Sequence, residues 1–173
     1  MTASRSALID VVDRSPPLMA AAHDRAGWVG LFTDDGRVED PVGSRPHVGP
    51  QQIGRFYDTF IAPPREIVFH HEADIVSDTT VIRDVVLEVG MGPVVTMRIP
   101  AVLRYDLREI DDAWRIERLR AYWELPAMMV QFARNGGAAA GPQALELSRA
   151  LIRNQGWRGS LGFASGFRGA IPG

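Results

Sequence analysis

Between residues 65 and 124 the chain changes its period. Four segments, 65–76, 79–90, 93–106 and 113–124, are rich in β-branched residues. Only short turn-forming stretches separate them: Ser77-Asp78, Gly90-Met91-Gly92-Pro93 and Glu109-Ile110-Asp111-Asp112. Such connections are too short for a crossover helix, so neighbouring segments must pair antiparallel as hairpins. A meander of this kind has one face to bury, and the rest of the chain has to cover it.

The first half supplies that cover. Leu8, Ile9, Val11 and Val12 recur at helical spacing, with Ser4 or Ser6 placed to cap them. Ser15-Pro16-Pro17 interrupts the run. Serine followed by proline is a helix-start pattern, because the missing proline N–H has no partner in a first turn anyway. The spacing therefore predicts a second helical piece from Pro16 to about Ala22. Ala26, Val29, Gly30, Leu31 and Phe32 continue an apolar face to a turn at Asp34-Asp35-Gly36, and Gly36 to Asp40 reads as a short strand. Gly49-Pro50 opens a helix whose apolar face is Ile53, Phe56, Tyr57 and Phe60, and Pro63-Pro64 stops it.

Helices first and a meander second predict an α+β domain, a curved antiparallel sheet covered by N-terminal helices. A strongly bent, capped sheet encloses a conical interior suited to an apolar ligand. With 173 residues, one core is expected, drawn here as a domain over 1–134. Residues 135–173 form an extension. Before it, Pro126–Phe132 reads as one or two helical turns. Asn135–Gly141 reads as a flexible linker. Pro142–Asn154 reads as an amphipathic helix carrying Leu145, Leu147, Ala150, Leu151 and Ile152. The tail from Gly156, with Trp157, Leu161, Phe163 and Phe167, is apolar enough to pack on the domain or on a partner subunit.

Several function classes fall away on charge and composition. A net charge of −2 with scattered basic residues gives no electrostatic ground for nucleic acid or an anionic membrane as partner. The chain has no cysteine, which excludes disulfides, thiolate catalysis and cysteine metal sites. No run of about 18 apolar residues is present, and residues 1–22 lack a signal-peptide pattern, so the expectation is a soluble cytoplasmic protein. His23, His47, His70 and His71 show no metal-ligand spacing, and no glycine-rich phosphate loop occurs. Neither a metal nor a cofactor is expected. His47 reads as a surface-loop residue.

The stretch LFTDDGRVEDPVGS, Leu31–Ser44, sets Glu39-Asp40 directly before Pro41. Two readings are open: Asp40 caps a turn, as aspartate before proline often does, or it is a carboxylate held at the mouth of a pocket. With QIGRFY at 52–57 and LRAYWE at 119–124, this stretch resembles the bacterial Δ5-3-ketosteroid isomerases, within the NTF2-like or SnoaL-like superfamily, over about residues 16–125. The resemblance implies a cone of curved sheet and helices, a homodimer through the outer face of the sheet, and a small hydrophobic molecule as partner. It also implies that Asp40 is a general base, moving a proton within a steroid-like carbonyl substrate.

The family's two oxyanion donors, a tyrosine on the first helix and a protonated aspartate on a strand, fall at Pro16 and Ala101, which cannot donate. Tyr57 matches a tyrosine that backs the first donor and is a second catalytic candidate; its other reading is an ordinary buried tyrosine bonded to a neighbour. Tyr105, on the same strand face as Ala101, is a further donor candidate. Trp123 matches a cavity-lining aromatic, with Leu119 on its face. Phe56 and Arg83 complete the ligand-binding candidates. Arg83 would either face inward or sit at the rim and reach water, the rim being the expectation. A related fold member, limonene epoxide hydrolase, uses an Asp-Arg-Asp set, for which the sequence offers no second acid. Besides the isomerase-like reading, a non-catalytic binder of steroid- or polyketide-like ligands and an interaction protein with a filled cone fit the residues.

Overall fold

The computed structural model describes residues 4–63, 66–91 and 95–139, together with residues 141, 142, 144, 145, 148, 149 and 152. Helix α1 spans Arg5–Ala20 and buries Leu8, Val11, Val12, Ser15 and Met19. This is one continuous helix where a break at Ser15-Pro16-Pro17 was expected. The two prolines remove two N–H donors, but their fixed φ is itself helical. The buried stripe at 8, 12, 15 and 19 keeps one face on the core throughout. Helix α2, Arg25–Val29, starts at Asp24, whose Oδ1 accepts the Gly27 N–H at 2.8 Å.

Strand β1 runs Phe32–Glu39 and contains the Asp34-Asp35-Gly36 stretch expected as a turn. The pairing register with its neighbour shifts between Phe32 and Arg37, so the turn-forming residues are absorbed as an irregularity within the strand. A Cβ on Gly36 would lie 2.8 Å from the Thr33 carbonyl oxygen, which explains the glycine there. Strand β2 is His47–Val48, and α3 follows at Gly49–Phe56, continued by one wide π turn over Tyr57–Ile61.

Strands β3 (Glu66–Ser77), β4 (Thr80–Met91), β5 (Val95–Ile110) and β6 (Ala113–Tyr122) form the expected meander. The β5–β6 turn is the pair Asp111-Asp112, both at positive φ, as a two-residue hairpin of matching twist requires. The six strands are ordered β2-β1-β6-β5-β4-β3. Pairing is antiparallel throughout except that β1 lies parallel to β6, so the sheet is mixed where an antiparallel one was expected. The intervening chain between β1 and β6 is long enough to remove the hairpin constraint. The α+β class holds.

Rows across the inner face follow from the register. Val38, Leu119, Tyr105 and Val81 stand side by side on β1, β6, β5 and β4. The next row is Ala121, Leu103, Arg83 and Asp74 on β6, β5, β4 and β3. The apolar members of both rows join Leu8, Val12, Trp28, Ile53 and Phe56 in the main core.

Beyond β6, α4 runs Leu125–Gly136, about three turns where one or two were expected. The helix lies along the part of β5 that β6 leaves unpaired. Strand β6 pairs with β5 no further back than Val102, leaving the start of β5 without a neighbour on that side. The Gln131 carboxamide fills the gap: its oxygen accepts the Arg98 N–H at 3.1 Å and its nitrogen donates to the Arg98 carbonyl at 2.9 Å. Asn135 adds a donor to the Thr96 carbonyl at 2.6 Å. Met97, Ile99 and Phe132 form a small second core there, against which Trp123 and Met128 pack. The domain boundary drawn after residue 134 falls in the last turn of α4.

Within the expected helix at 142–154, Pro142, Ala144, Leu145, Ser148, Arg149 and Ile152 are helical. Leu147, Ala150, Leu151 and the tail with Trp157, Leu161, Phe163 and Phe167 lie outside the described residues. Among the described residues, no helix is long and apolar enough to cross a membrane.

Candidate active site

Asp40 is the first residue past β1, two positions after the fully buried Val38, and so turns to the inner face of the sheet. The loop that follows is tied down at each step. The Glu39 carboxylate accepts the Gly43 N–H at 2.9 Å, Val42 N–H donates to the Ala121 carbonyl at 2.8 Å, and Ser44 N–H donates to the Pro41 carbonyl at 3.0 Å. Gly43 sits at φ +97, a conformation that favours glycine. The Asp40–Pro41 peptide is cis. The turn-forming residues after Asp40 thus build a short clasp between β1 and β6, and the aspartate side chain takes no part in it.

The carboxylate instead meets Trp123, the first residue past β6, whose indole Nε1–H donates to Asp40 Oδ1 at 2.5 Å. Asp40 is half-buried as a residue, yet its carboxyl group lies deep enough that loss of solvent dominates. Burial pushes its pKa up to about 6 from an ordinary 3.8, against the opposing pull of the Trp123 hydrogen bond. A desolvated aspartate held by one donor is a stronger base than a solvated one, and it remains mostly ionised at neutral pH.

Of the other candidates, Leu119, Ala101 and Tyr105 lie on the same inner face, each at most 5% exposed. Tyr105 is fully buried, and its hydroxyl has no hydrogen-bond partner among the described residues. The Ser15 hydroxyl on α1 is close enough to draw its pKa down, although the geometry falls short of a hydrogen bond; Ser15 Oγ accepts the Trp28 indole N–H at 2.9 Å. Burial pushes the Tyr105 pKa up to about 12, the nearby Arg83 guanidinium lowers it, and the Asp40 charge raises it. Ser44 Oγ is a second buried hydroxyl without a partner among the described residues.

Two candidates turn elsewhere. The Tyr57 hydroxyl donates to the Leu18 carbonyl at 3.2 Å, which bridges α3 to the end of α1. Phe56 belongs to an aromatic cluster, its ring centroid 6.1 Å from Trp28 and 5.2 Å from both His47 and Phe60. His47 is therefore half-buried on β2 where a surface position was expected; burial, then the charge of Arg45, lowers its pKa to about 4.

Arg83 departs furthest from expectation. It is 5% exposed, not at the rim. Its Nε and Nη2 donate to Asp74 at 2.8 and 2.7 Å, and Nη2 also donates to Asp13 on α1 at 2.6 Å. The structure thus places two acids on Arg83, where the sequence offered no second acid for an Asp-Arg-Asp set. Burial alone would lower the Arg83 pKa; the paired carboxylates outweigh it and hold the guanidinium firmly charged. Asp74 had a signal in the sequence, since a hairpin closing at Ser77 and Thr80 sets Asp74 opposite Arg83. Asp13 had none, because the rotation of α1 over the sheet is a tertiary matter.

The nuclear transport factor 2 (NTF2) domain family matches residues 10–131. The chain is similar to Δ5-3-ketosteroid isomerase from Mycobacterium sp., at 30% identity and a TM-score of 0.61 over 70% of this chain and 95% of that one. It is also similar to RV0760c from Mycobacterium tuberculosis, at 27% identity and a TM-score of 0.63 over 72% of this chain and 96% of that one. A crystal of RV0760c in complex with estradiol-17beta-hemisuccinate matches at 26% identity and a TM-score of 0.60, over 69% of this chain and 95% of that one.

Proposed function

The chain belongs to the nuclear transport factor 2 (NTF2) domain family, within the NTF2-like or SnoaL-like superfamily, and on that premise we propose that it is a ketosteroid-isomerase-like enzyme acting on a hydrophobic carbonyl compound. The observation that carries this reading is the Asp40 carboxylate, desolvated to a pKa of about 6 and held by the Trp123 indole. Asp40 removes a proton from the carbon next to the carbonyl of a β,γ-unsaturated ketone. The electron pair moves through the carbonyl to give a dienolate. The protonated Asp40 returns the proton two carbons away, which leaves the double bond in conjugation and the carboxylate regenerated. Atoms and charge balance without a cofactor. Trp123 fixes the carboxylate, and the apolar side chains of the inner face keep water from competing for the proton.

Incubation with a 3-oxo-Δ5-steroid, followed by the absorbance of the conjugated enone, tests the reaction. The wild type turns the substrate over and Asp40→Asn does not. Equal rates for the two proteins, or no rate above background for either, would remove the proposal.

One observation favours a second reading, a non-catalytic binder of steroid- or polyketide-like ligands: the family's two donor positions hold Pro16 and Ala101. That reading requires ligand affinity that survives Asp40→Asn with no turnover in either protein. A homodimer through the outer face of the sheet, where Val102 and Tyr122 remain 38% and 37% exposed, accompanies the isomerase-like reading. Sedimentation at micromolar concentration tests it.

A further inference from the structure

We infer that Tyr105 is the hydrogen-bond donor to the carbonyl oxygen of the substrate. This rests on the proton-transfer reading of Asp40. When Asp40 removes a proton next to a carbonyl, negative charge collects on the carbonyl oxygen, and the barrier is low only where a fixed donor waits for it. Three observations assign that place to Tyr105.

The first is the orphaned hydroxyl. Tyr105 is 0% exposed, and its O–H has no hydrogen-bond partner among the described residues. Buried hydroxyls in folded proteins nearly always find one, so a donor left open inside a packed domain points to a partner that arrives from outside.

The second is placement. Tyr105 stands opposite Leu119 on β6, and Leu119 stands opposite Val38 on β1, two residues before Asp40. Tyr105 and Asp40 therefore address the same side of the sheet, and they are close enough for the Asp40 charge to act on the phenol. The hydroxyl reaches α1 beside Ser15, whose oxygen accepts the Trp28 N–H. Ser15 adjoins Pro16, the helix position that cannot donate. A strand residue thus places its O–H beside Pro16, which has no donor of its own.

The third is the charge around it. Arg83 lies near the phenol and favours negative charge there, while its Nε and Nη2 are held by Asp74 and Asp13. It lends a positive field to the place where the oxygen gains negative charge.

Tyr105→Phe removes one oxygen and preserves the ring. Its expected effect on a 3-oxo-Δ5-steroid is a fall in kcat of about 10²- to 10³-fold, in the range seen for loss of one oxyanion donor, with KM nearly unchanged. Binding supplies a readout independent of turnover. A steroid with a phenolic ring carries its oxygen as the dienolate would. The wild type binds it at least about tenfold more tightly than the same skeleton lacking that oxygen, a preference worth one good hydrogen bond, and Tyr105→Phe loses the preference. Loss of the preference in a protein with no isomerase activity sustains Tyr105 as donor while the isomerase proposal fails. An unchanged preference, or an unchanged kcat, overturns the inference. Should circular dichroism show Tyr105→Phe unfolded, the wild type alone decides. The infrared carbonyl stretch of a bound ketone falls below its value in an apolar solvent if the O–H engages it, and a stretch equal to the apolar value overturns the inference.

Discussion

Replacing Asp40 by asparagine should make the protein more stable, by an amount set by pH. In the folded chain the Asp40 pKa is raised from 3.8 to about 6, mainly by desolvation. At ~1.4 kcal/mol per unit, this corresponds to about 3 kcal/mol between the folded and unfolded environments of the carboxyl group. The sign follows from proton uptake. Between pH 3.8 and about 6 the folded state binds more protons than the unfolded state, so stability falls as pH rises through that window. Below it the group is neutral in both states and costs nothing; above it the buried carboxylate carries the whole penalty. Asparagine is neutral at every pH and keeps an oxygen to accept the Trp123 N–H. Urea titrations of both proteins should therefore show Asp40→Asn ahead by about 3 kcal/mol at pH 8, about 1.5 at pH 5 and about 0.5 at pH 4. In thermal scans at pH 8 the gain should appear as roughly 6–12 °C in Tm for a chain of this size. His47, whose pKa is lowered to about 4, titrates in the same range. It is present in both proteins and cancels in the difference. A difference that does not vary with pH, or an asparagine variant that is less stable at pH 8, would refute the reasoning, because it would mean that the carboxylate is solvated.

The Trp123 hydrogen bond lowers the Asp40 pKa against the effect of burial, so Trp123→Phe should move the acidic limb of the pH–rate profile, expected near pH 6, to higher pH; a midpoint that stays or moves down contradicts the assigned contact. At the Arg83 clamp the two acids should not be equivalent. Asp74→Ala strips a 5%-exposed guanidinium of its bidentate partner and should cost about 3 kcal/mol in urea unfolding, the low end for breaking a buried pair because Asp13 remains. Asp13→Ala removes a carboxylate that is itself 57% exposed and should cost under about 1 kcal/mol.

Much of the architecture was legible because it is written in local periodicity. The three hairpins of β3 to β6 follow from β-branched runs and short breaks, and the observed strands agree with the expected ones to within a few residues. What failed were places where a local rule was outvoted. Pro16-Pro17 is a strong helix breaker by composition, yet the stripe through Leu8, Val12, Ser15 and Met19 carries α1 across it. Asp34-Asp35-Gly36 is a turn by composition, yet β1 pairs with β6 on either side of it, at Phe32 and from Arg37, and carries it as an irregularity. The length of α4 was not legible from 126–132 alone, since its contacts with the unpaired start of β5 are tertiary. At the site, Asp40 and Trp123 were singled out by resemblance, and the structure brings them into contact. The Arg83 partners were missed because one lies across a hairpin and the other on a helix seventy residues earlier.

The polar groups of the interior divide into two kinds, and the division separates scaffold from site. Arg83 is buried, but its donors to Asp74 and Asp13 are matched, and the set ties α1 to the β3–β4 edge of the sheet. The Arg83 Nε and Nη2 serve the fold. Asp40 and Tyr105 are the reverse. One carries a charge that the surroundings disfavour, and the other carries a donor with nothing to receive it. Each is destabilising to the empty fold, and asparagine or phenylalanine at these positions would relieve it with almost no change of shape. Two uncompensated groups on one inner face, close enough to influence each other, are poorly explained by folding alone. They are well explained if a molecule with an acidic C–H next to a carbonyl meets Asp40 with the one and Tyr105 with the oxygen of the other.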